Sequence, residues 1–277
     1  MSRSRSSGIG EAAARRLAGR ARVLVLLGPE PEQQVAPVLR GIRKSGPADV
    51  HYISADFTRL TEVAGAAREI TSRARRIDVL MNDAGVPGAP TRILTPDGFE
   101  RTLQVNALAP ALLTRLLVPS LSSRARIVNV GSSAHHVERF DFDDVDLEHH
   151  YAPVSAYARA KLAMVTWSSM LAEEEAGSGV TVVALCPGLN DTPLSAAMMG
   201  RIGGPPSVGA ARVIQAISAD VASGSYLEDG QVAALSTEAR DPGNRERLAR
   251  LFRARLGGLA VGGGLDPVDA GVGEEET

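Results

Sequence analysis

Cysteine is almost absent. Cys186 is the single thiol in 277 residues, which excludes an internal disulfide and a cysteine-built metal cluster. Lysine is nearly as scarce: it occurs only at Lys44 and Lys161, while arginine fills almost every other basic position. No apolar run is long enough to span a bilayer, and the N-terminus lacks the apolar stretch of a signal peptide. The expectation is a cytoplasmic chain without a membrane span. A net charge of −2 argues against nucleic acid or an anionic membrane as the main partner. His135-His136 and His149-His150 stand at no metal-ligand spacing from carboxylates or the cysteine, so they read as solvated loops, with no metal site.

What is present is the composition of an ordinary globule, 44% hydrophobic and 22% charged, long enough to bury a full core. Short apolar runs alternate with helical patterns, which argues for βα units, a parallel sheet and a doubly wound α/β fold in one domain. Strands are expected at 21–28, 49–56, 77–85, 126–133 and 180–188, with a short one at 225–227. Helices are expected near 31–43, 58–75, 97–121, 155–174, 208–219 and 243–255. The domain is expected to cover 1–256. The glycine-rich acidic segment 257–277 lacks periodicity and is expected to be disordered.

The chain opens MSRSRSSGIGEAAARRLA. Ser7-Gly8-Ile9-Gly10 before an alanine-rich run reads as a tight turn feeding a helix, whose free N–H groups suit a phosphate. Such a turn ordinarily leaves the end of a buried strand, and only a few polar residues stand upstream. At the other sites, Asn82 to Gly85, Ser132 and Pro187-Gly188 lie at or near the carboxyl ends of expected strands, the rim where open parallel sheets bind ligands. Tyr157 and Lys161 are four apart on one helix and share a face. A fixed ammonium there favours the phenolate and moves the tyrosine towards a working pKa.

Tyr157-x-x-x-Lys161, with Ser132 upstream, Asn82-Asp83-Ala84-Gly85, Asn106 in VNALAP and CPGLNDT downstream, resembles the short-chain dehydrogenase/reductase family over roughly residues 4–255. RIVNVGSSAHH, the insert DFDDVDLEHHY and YLEDGQVAALSTEARDPGNRERL look like its retinol-dehydrogenase-like branch. The resemblance implies Tyr157 as general acid/base, Ser132 as the hydroxyl that positions the reacting oxygen, and Lys161 as tuner of the tyrosine and holder of the nicotinamide ribose. It implies Asn106 in a water chain that relays the proton. Ser7, Gly8, Ile9 and Gly10 would line the pyrophosphate, and Asp56 would reach the adenine. Asn82, Ala84 and Gly85 would flank the adenosine side, and Pro187, Gly188 and Thr192 would cover the nicotinamide. Ser133 rivals Ser132, and Asp56 has a simpler role as a helix cap.

The implied activity is NAD(P)-dependent hydride transfer between a nicotinamide cofactor and an alcohol/carbonyl pair. The resemblance favours NADP, Arg5 being placed to meet a phosphate, whereas Glu30 suits the ribose of NAD. PLSAAMMG (193–200) and the low aromatic content fit an apolar small-molecule substrate, and the same segment reads equally as an ordinary helix packed on its own domain; a homo-oligomer is compatible with the chain. Two departures matter. Asp83 replaces the second asparagine of the familiar motif. The family's first strand, central in the sheet and contributing on the order of 10 kcal/mol, has no counterpart before Gly8. The expectation is a marginal or rearranged sheet, from a start assigned too far downstream or from a truncated, catalytically impaired protein that binds cofactor weakly.

Overall fold

The computed structural model describes residues 8–260, so Ser7 and the tail from 261 lie outside the described residues. From the N-terminus, α1 (Ile9–Leu17) leads to β1 (Val23–Gly28), α2 (Glu32–Arg43) and β2 (Asp49–Ser54). Then come α3 (Leu60–Arg73) and β3 (Ile77–Asn82). The strands are short runs of Val, Leu and Ile, as expected for a sheet covered on both faces.

The single helix expected at 97–121 is instead a composite. It begins as α4 (Arg101–Leu103), widens into a π-turn over Gln104–Leu108, and resumes as α5 (Ala109–Leu117). Pro110 has no N–H to give to the Asn106 carbonyl four residues back, which favours a change of pitch there. Pro119 ends the helix in a short 3-10 turn. β4 (Leu121–Val130) therefore starts five residues earlier than the expected 126 and ends at Val130.

A 3-10 turn over Ser133–His136 follows, then α6 (Pro153–Glu174), β5 (Thr181–Cys186), α7 (Pro193–Met199), α8 (Pro206–Ser218) and β6 (Tyr226–Glu228). β7 (Gln231–Ala233), α9 (Thr237–Arg240) and α10 (Pro242–Ala260) complete the chain. α10 runs four residues past the expected domain boundary at 256, so 257–260 are helical rather than tail.

β3, β4, β5 and β6 run parallel in that order, with β7 antiparallel at the edge. On one face, Leu108 of the π-turn and Leu112, Met164, Trp167, Phe252 and Leu256 from α5, α6 and α10 pack on Ile127 and Val182. On the other, Val213 and Ala216 of α8 pack on Val128, Val130, Val183 and Leu185, with Ile9 of α1 against them. This is the doubly wound, three-layer arrangement.

The sheet is divided. β1 and β2 pair with each other and, among the described residues, with no other strand, while β3 begins the second, five-stranded sheet. The break falls where the first strand of the family pattern would lie. No rearrangement closes it. The smaller leaf is held by side chains instead: Val25 and Leu27 lean on the main core, and Leu24 and Leu26 lean on Ala14 of α1, Ala18 at its end and Ile42 of α2.

Candidate active site

β4 delivers the first group. Its end, Val130-Gly131, leads into Ser132, which caps the 3-10 turn with its Oγ accepting from the Ala134 N–H at 3.2 Å. That bond occupies the oxygen from behind and leaves the hydroxyl hydrogen free to be donated forward. Ser133, the rival, is exposed. The second group comes from α6, where Tyr157 stands close enough to Ser132 for the serine side chain to draw the phenol's pKa down. One turn on, Lys161 is 3% exposed, donates to the Val130 carbonyl at 2.7 Å, and lies 5.8 Å from the centre of the Tyr157 ring. Strand end and helix thus meet through three polar side chains, two of them tied to the same stretch of β4.

The electrostatics differ from the expectation. Tyr157 is pushed up to about 12, first by burial; the Ser132 side chain works against this, and Cys186 and Asp83 add to the rise. Lys161 is pushed down to about 8 by burial, with Asp83 and Cys186 opposing. Sequence spacing shows that an ammonium neighbours the phenol, but it does not show that the ammonium is buried and the phenol half-buried. Desolvation disfavours both charged forms and is the largest cause of both shifts.

Asn106 is 1% exposed and sits in the π-turn, where its Oδ1 accepts from the Val86 N–H at 2.8 Å and its Nδ2 donates to the Val86 carbonyl at 2.9 Å. It therefore clamps the loop after β3. Gly85, in that loop, lies against the site: a Cβ there would stand 3.4 Å from Asn106 Oδ1, 3.7 Å from Lys161 Nζ and 3.8 Å from Leu194 Cδ1. Ala84 beside it is exposed.

The glycine turn reaches the same rim. Gly8 has φ +116, a conformation that L side chains rarely adopt, and faces the Thr192 methyl. A Cβ on Gly10 would stand 2.6 Å from Asp83 Oδ2, so β3's end and the first turn of α1 are in close approach. Ile9 turns its side chain into the core, which leaves only its backbone for a ligand. Thr192 caps α7 reciprocally with Ser195. The Pro187-Gly188 turn is held by Asn190 Nδ2, which donates to both carbonyls, and by Arg212 on Pro187.

Two further expected residues have partners within the chain. Asn82 is 6% exposed, and its Nδ2 donates both hydrogens inside the fold, to Thr114 Oγ1 at 2.9 Å and Asn129 Oδ1 at 2.8 Å. Its side chain has no donor left for an adenosine. Asp56 accepts from the Thr58 N–H at 2.9 Å, the turn-capping role, beyond the end of β2.

The paired histidines divide, with His149 and His150 exposed as expected. His136 is exposed, but His135 is 0% exposed and is pushed down to about 4, chiefly by burial. A 3-10 turn places residue i+3 over residue i, so Ser132 and His135 could have been paired on spacing alone.

A nicotinamide dinucleotide fits the inner part of this rim. Lys161 is buried, and two of its three N–H groups have no acceptor among the described residues, which suits a ribose diol. The outer part is less accommodating, because Asp83 brings a carboxylate to Gly10, where a phosphate would approach. Burial raises the pKa of that carboxyl, which lessens the repulsion.

Comparison with known proteins agrees with this geometry. The family profile described as short chain dehydrogenase matches residues 4–200. Polyprenol dehydrogenase of Mus musculus is 36% identical over 198 residues, covering 68% of this chain and 58% of the relative. Retinol dehydrogenase 13 of Homo sapiens is 37% identical over 195 residues, with the same coverages. The chain thus spans less than two thirds of these relatives' length. Among solved structures, an uncharacterized protein of Mycobacterium paratuberculosis superposes with a TM-score of 0.77 at 28% identity, covering 90% of each chain. A short chain dehydrogenase of Burkholderia cenocepacia in complex with NADP shares the fold, with a TM-score of 0.65 at 24% identity, over 85% of this chain and 95% of the other.

Proposed function

The chain belongs to the short-chain dehydrogenase/reductase family, in its retinol-dehydrogenase-like branch, and we propose that it interconverts an apolar alcohol and its carbonyl with NADP(H) or NAD(H). The observation that carries this reading is the placing of Tyr157 beside Ser132 with Lys161 fixed one turn away. The nicotinamide, when bound, supplies or accepts the hydride. In the reducing direction Ser132 turns its hydroxyl hydrogen from Tyr157 to the carbonyl oxygen, holding that oxygen against the phenol. Tyr157, a neutral phenol at working pH, gives its proton to that oxygen as negative charge develops there. Lys161 orients the ribose and supports the phenolate left behind. Asn106 keeps the Val86 loop in register beneath the site.

The rim supports an apolar substrate. Leu189, Met199 and Ile202 are exposed around α7, and Leu194 reaches Gly85. An alcohol of the polyprenol or retinol kind, named for the relatives, suits such a mouth. The assay is reduction of retinal and of a long-chain aldehyde with NADPH and with NADH, alongside Tyr157→Phe and Ser132→Ala. Loss of at least a hundredfold in kcat for each variant is expected. Undiminished turnover by Tyr157→Phe sinks the reading.

A second reading, a chain that keeps this site but holds the dinucleotide weakly, is favoured by the divided sheet, since the adenosine half would lie across the break. Calorimetric titration with NADPH separates the two: a micromolar Kd supports the enzyme, and no binding at millimolar cofactor supports the second reading.

A further inference from the structure

His135 lies outside the reacting groups, yet its surroundings fix it more tightly than any of them. Its ring Nδ1 is 2.7 Å from the Ser132 carbonyl. A carbonyl only accepts, so Nδ1 carries the hydrogen. Its Nε2 is 3.3 Å from the Ser236 backbone N–H, and an N–H only donates, so Nε2 is bare. One tautomer of the neutral ring satisfies both contacts, and no other protonation state does. The His135 backbone N–H also donates to the Ser132 carbonyl, at 3.2 Å. Two donors from one residue therefore converge on the peptide of the serine that faces Tyr157.

The ring is wedged as well as bonded. Tyr226 of β6 meets it edge-on at 4.8 Å, and His136 covers it at 3.9 Å. Ser236 is itself a fixed point: it caps α9, its Oγ accepting from the Ala239 N–H at 3.2 Å, and α9 packs on α6, which carries Tyr157. The path Ser236 N–H to His135 to Ser132 thus joins the serine's turn to the same helix that holds its partner phenol.

We propose that His135 is a positioning residue for the reaction: as a neutral Nδ1–H tautomer locked by Ser236, it sets the orientation of Ser132 towards Tyr157. This rests on the reading of Ser132 as the hydroxyl that aligns the reacting oxygen. Misplacing that hydroxyl weakens the transition state more than the binding of cofactor, because His135 itself is closed off from the surface.

The test uses the full chain. His135→Phe keeps the ring volume and removes both polar contacts. It is expected to lower kcat ten- to a hundredfold, with the NADPH Kd unchanged within twofold. His135→Asn retains a donor near the Ser132 carbonyl and is expected to recover most of that loss. Equal kcat in wild type and His135→Phe, or equal loss in Phe and Asn variants, overturns the proposal. Should His135→Phe fail to fold, Ser236→Pro deletes the N–H while Ser236→Ala deletes only the cap; a kcat loss confined to Pro is expected, and equal effects overturn it. Imidazole 15N spectra give a readout independent of turnover. His135 is expected as Nδ1–H at pH 7 in the wild type, and an Nε2–H signal refutes the assignment. A correct tautomer in a protein that turns nothing over, by contrast, counts against the proposed function and not against the geometry.

Discussion

The side chains of Asn82 and Asn129 face each other across β3 and β4 as register partners, with Asn82 Nδ2 donating to Asn129 Oδ1 at 2.8 Å. Asn129 passes the chain on, its Nδ2 donating to Ser168 Oγ at 2.8 Å on α6. Three buried amide and hydroxyl groups, with Thr114 at the other side, thus cross-link two strands to two helices. Truncating Asn82 to alanine leaves the Thr114 and Asn129 oxygens without that donor in a closed core. The expected cost is about 2–3 kcal/mol of unfolding free energy, measured by urea titration. Cofactor affinity is expected to hold within a few-fold, because this amide has no donor to lose from the dinucleotide side. A tenfold weakening of NADPH binding at unchanged stability contradicts the structural assignment.

Much of the fold was legible in the sequence. Five strands read as continuous apolar runs bounded by turns, and the long helix at 153–174 from its periodicity. β7 did not, since it is three residues with Val232 exposed; antiparallel pairing to β6 stabilises it, and local sequence does not record a partner. The π-turn escaped because hydrophobic periodicity is insensitive to one extra residue per turn. At the site, residue types and spacing gave the Ser132, Tyr157 and Lys161 constellation. They could not give burial, which turned His135 from a solvated loop residue into a core group and moved Tyr157 up instead of down.

The Tyr157 shift has a signature in the two reaction directions. A phenol at about 12 is fully protonated through the working range, so reduction, which needs the acid, is expected to show kcat/KM nearly flat from pH 6 to 8. Oxidation needs the phenolate, whose fraction rises tenfold per pH unit below 12, so its kcat/KM is expected to climb with unit slope over the same range. Asp83 is one of the groups holding Tyr157 up. Asp83→Asn is therefore expected to displace the oxidation limb to lower pH. Paired pH–rate profiles decide it; an oxidation plateau reached below pH 7 is incompatible with a phenol held near 12.

His135 makes the fold sensitive to acid. Its folded value is about 4 against 6.5 for the free side chain. Between those values the unfolded chain binds the proton and the native chain does not, so stability falls as pH drops from 6.5 towards 4 and is fully present above 6.5. A displacement of that size corresponds to about 3 kcal/mol. The check is the difference in urea stability between wild type and His135→Phe at pH 4, 5, 6 and 7, in which the carboxylates common to both cancel. The gap is expected to narrow towards pH 4. A constant gap means that the ring takes up its proton without leaving its site.

The divided sheet has a consequence at single amides. The Asp49 N–H donates to the Arg22 carbonyl at 2.9 Å, and the Ala55 N–H to the Gly28 carbonyl at 2.8 Å. With the parallel register between, the even-numbered peptides of β1 face β2. Val23, Val25 and Leu27 then direct their N–H groups to the opposite edge, where the described residues offer no strand. Leu24 and Leu26 are held in a ladder on the same six-residue element. Hydrogen exchange in the native protein is expected to alternate along β1, with the odd-numbered amides faster by roughly tenfold or more. The alternation separates an open edge from general loosening of the leaf, which would raise all five rates together. Uniform slow exchange would mean that a further strand pairs with that edge in solution, closing β1 onto β3.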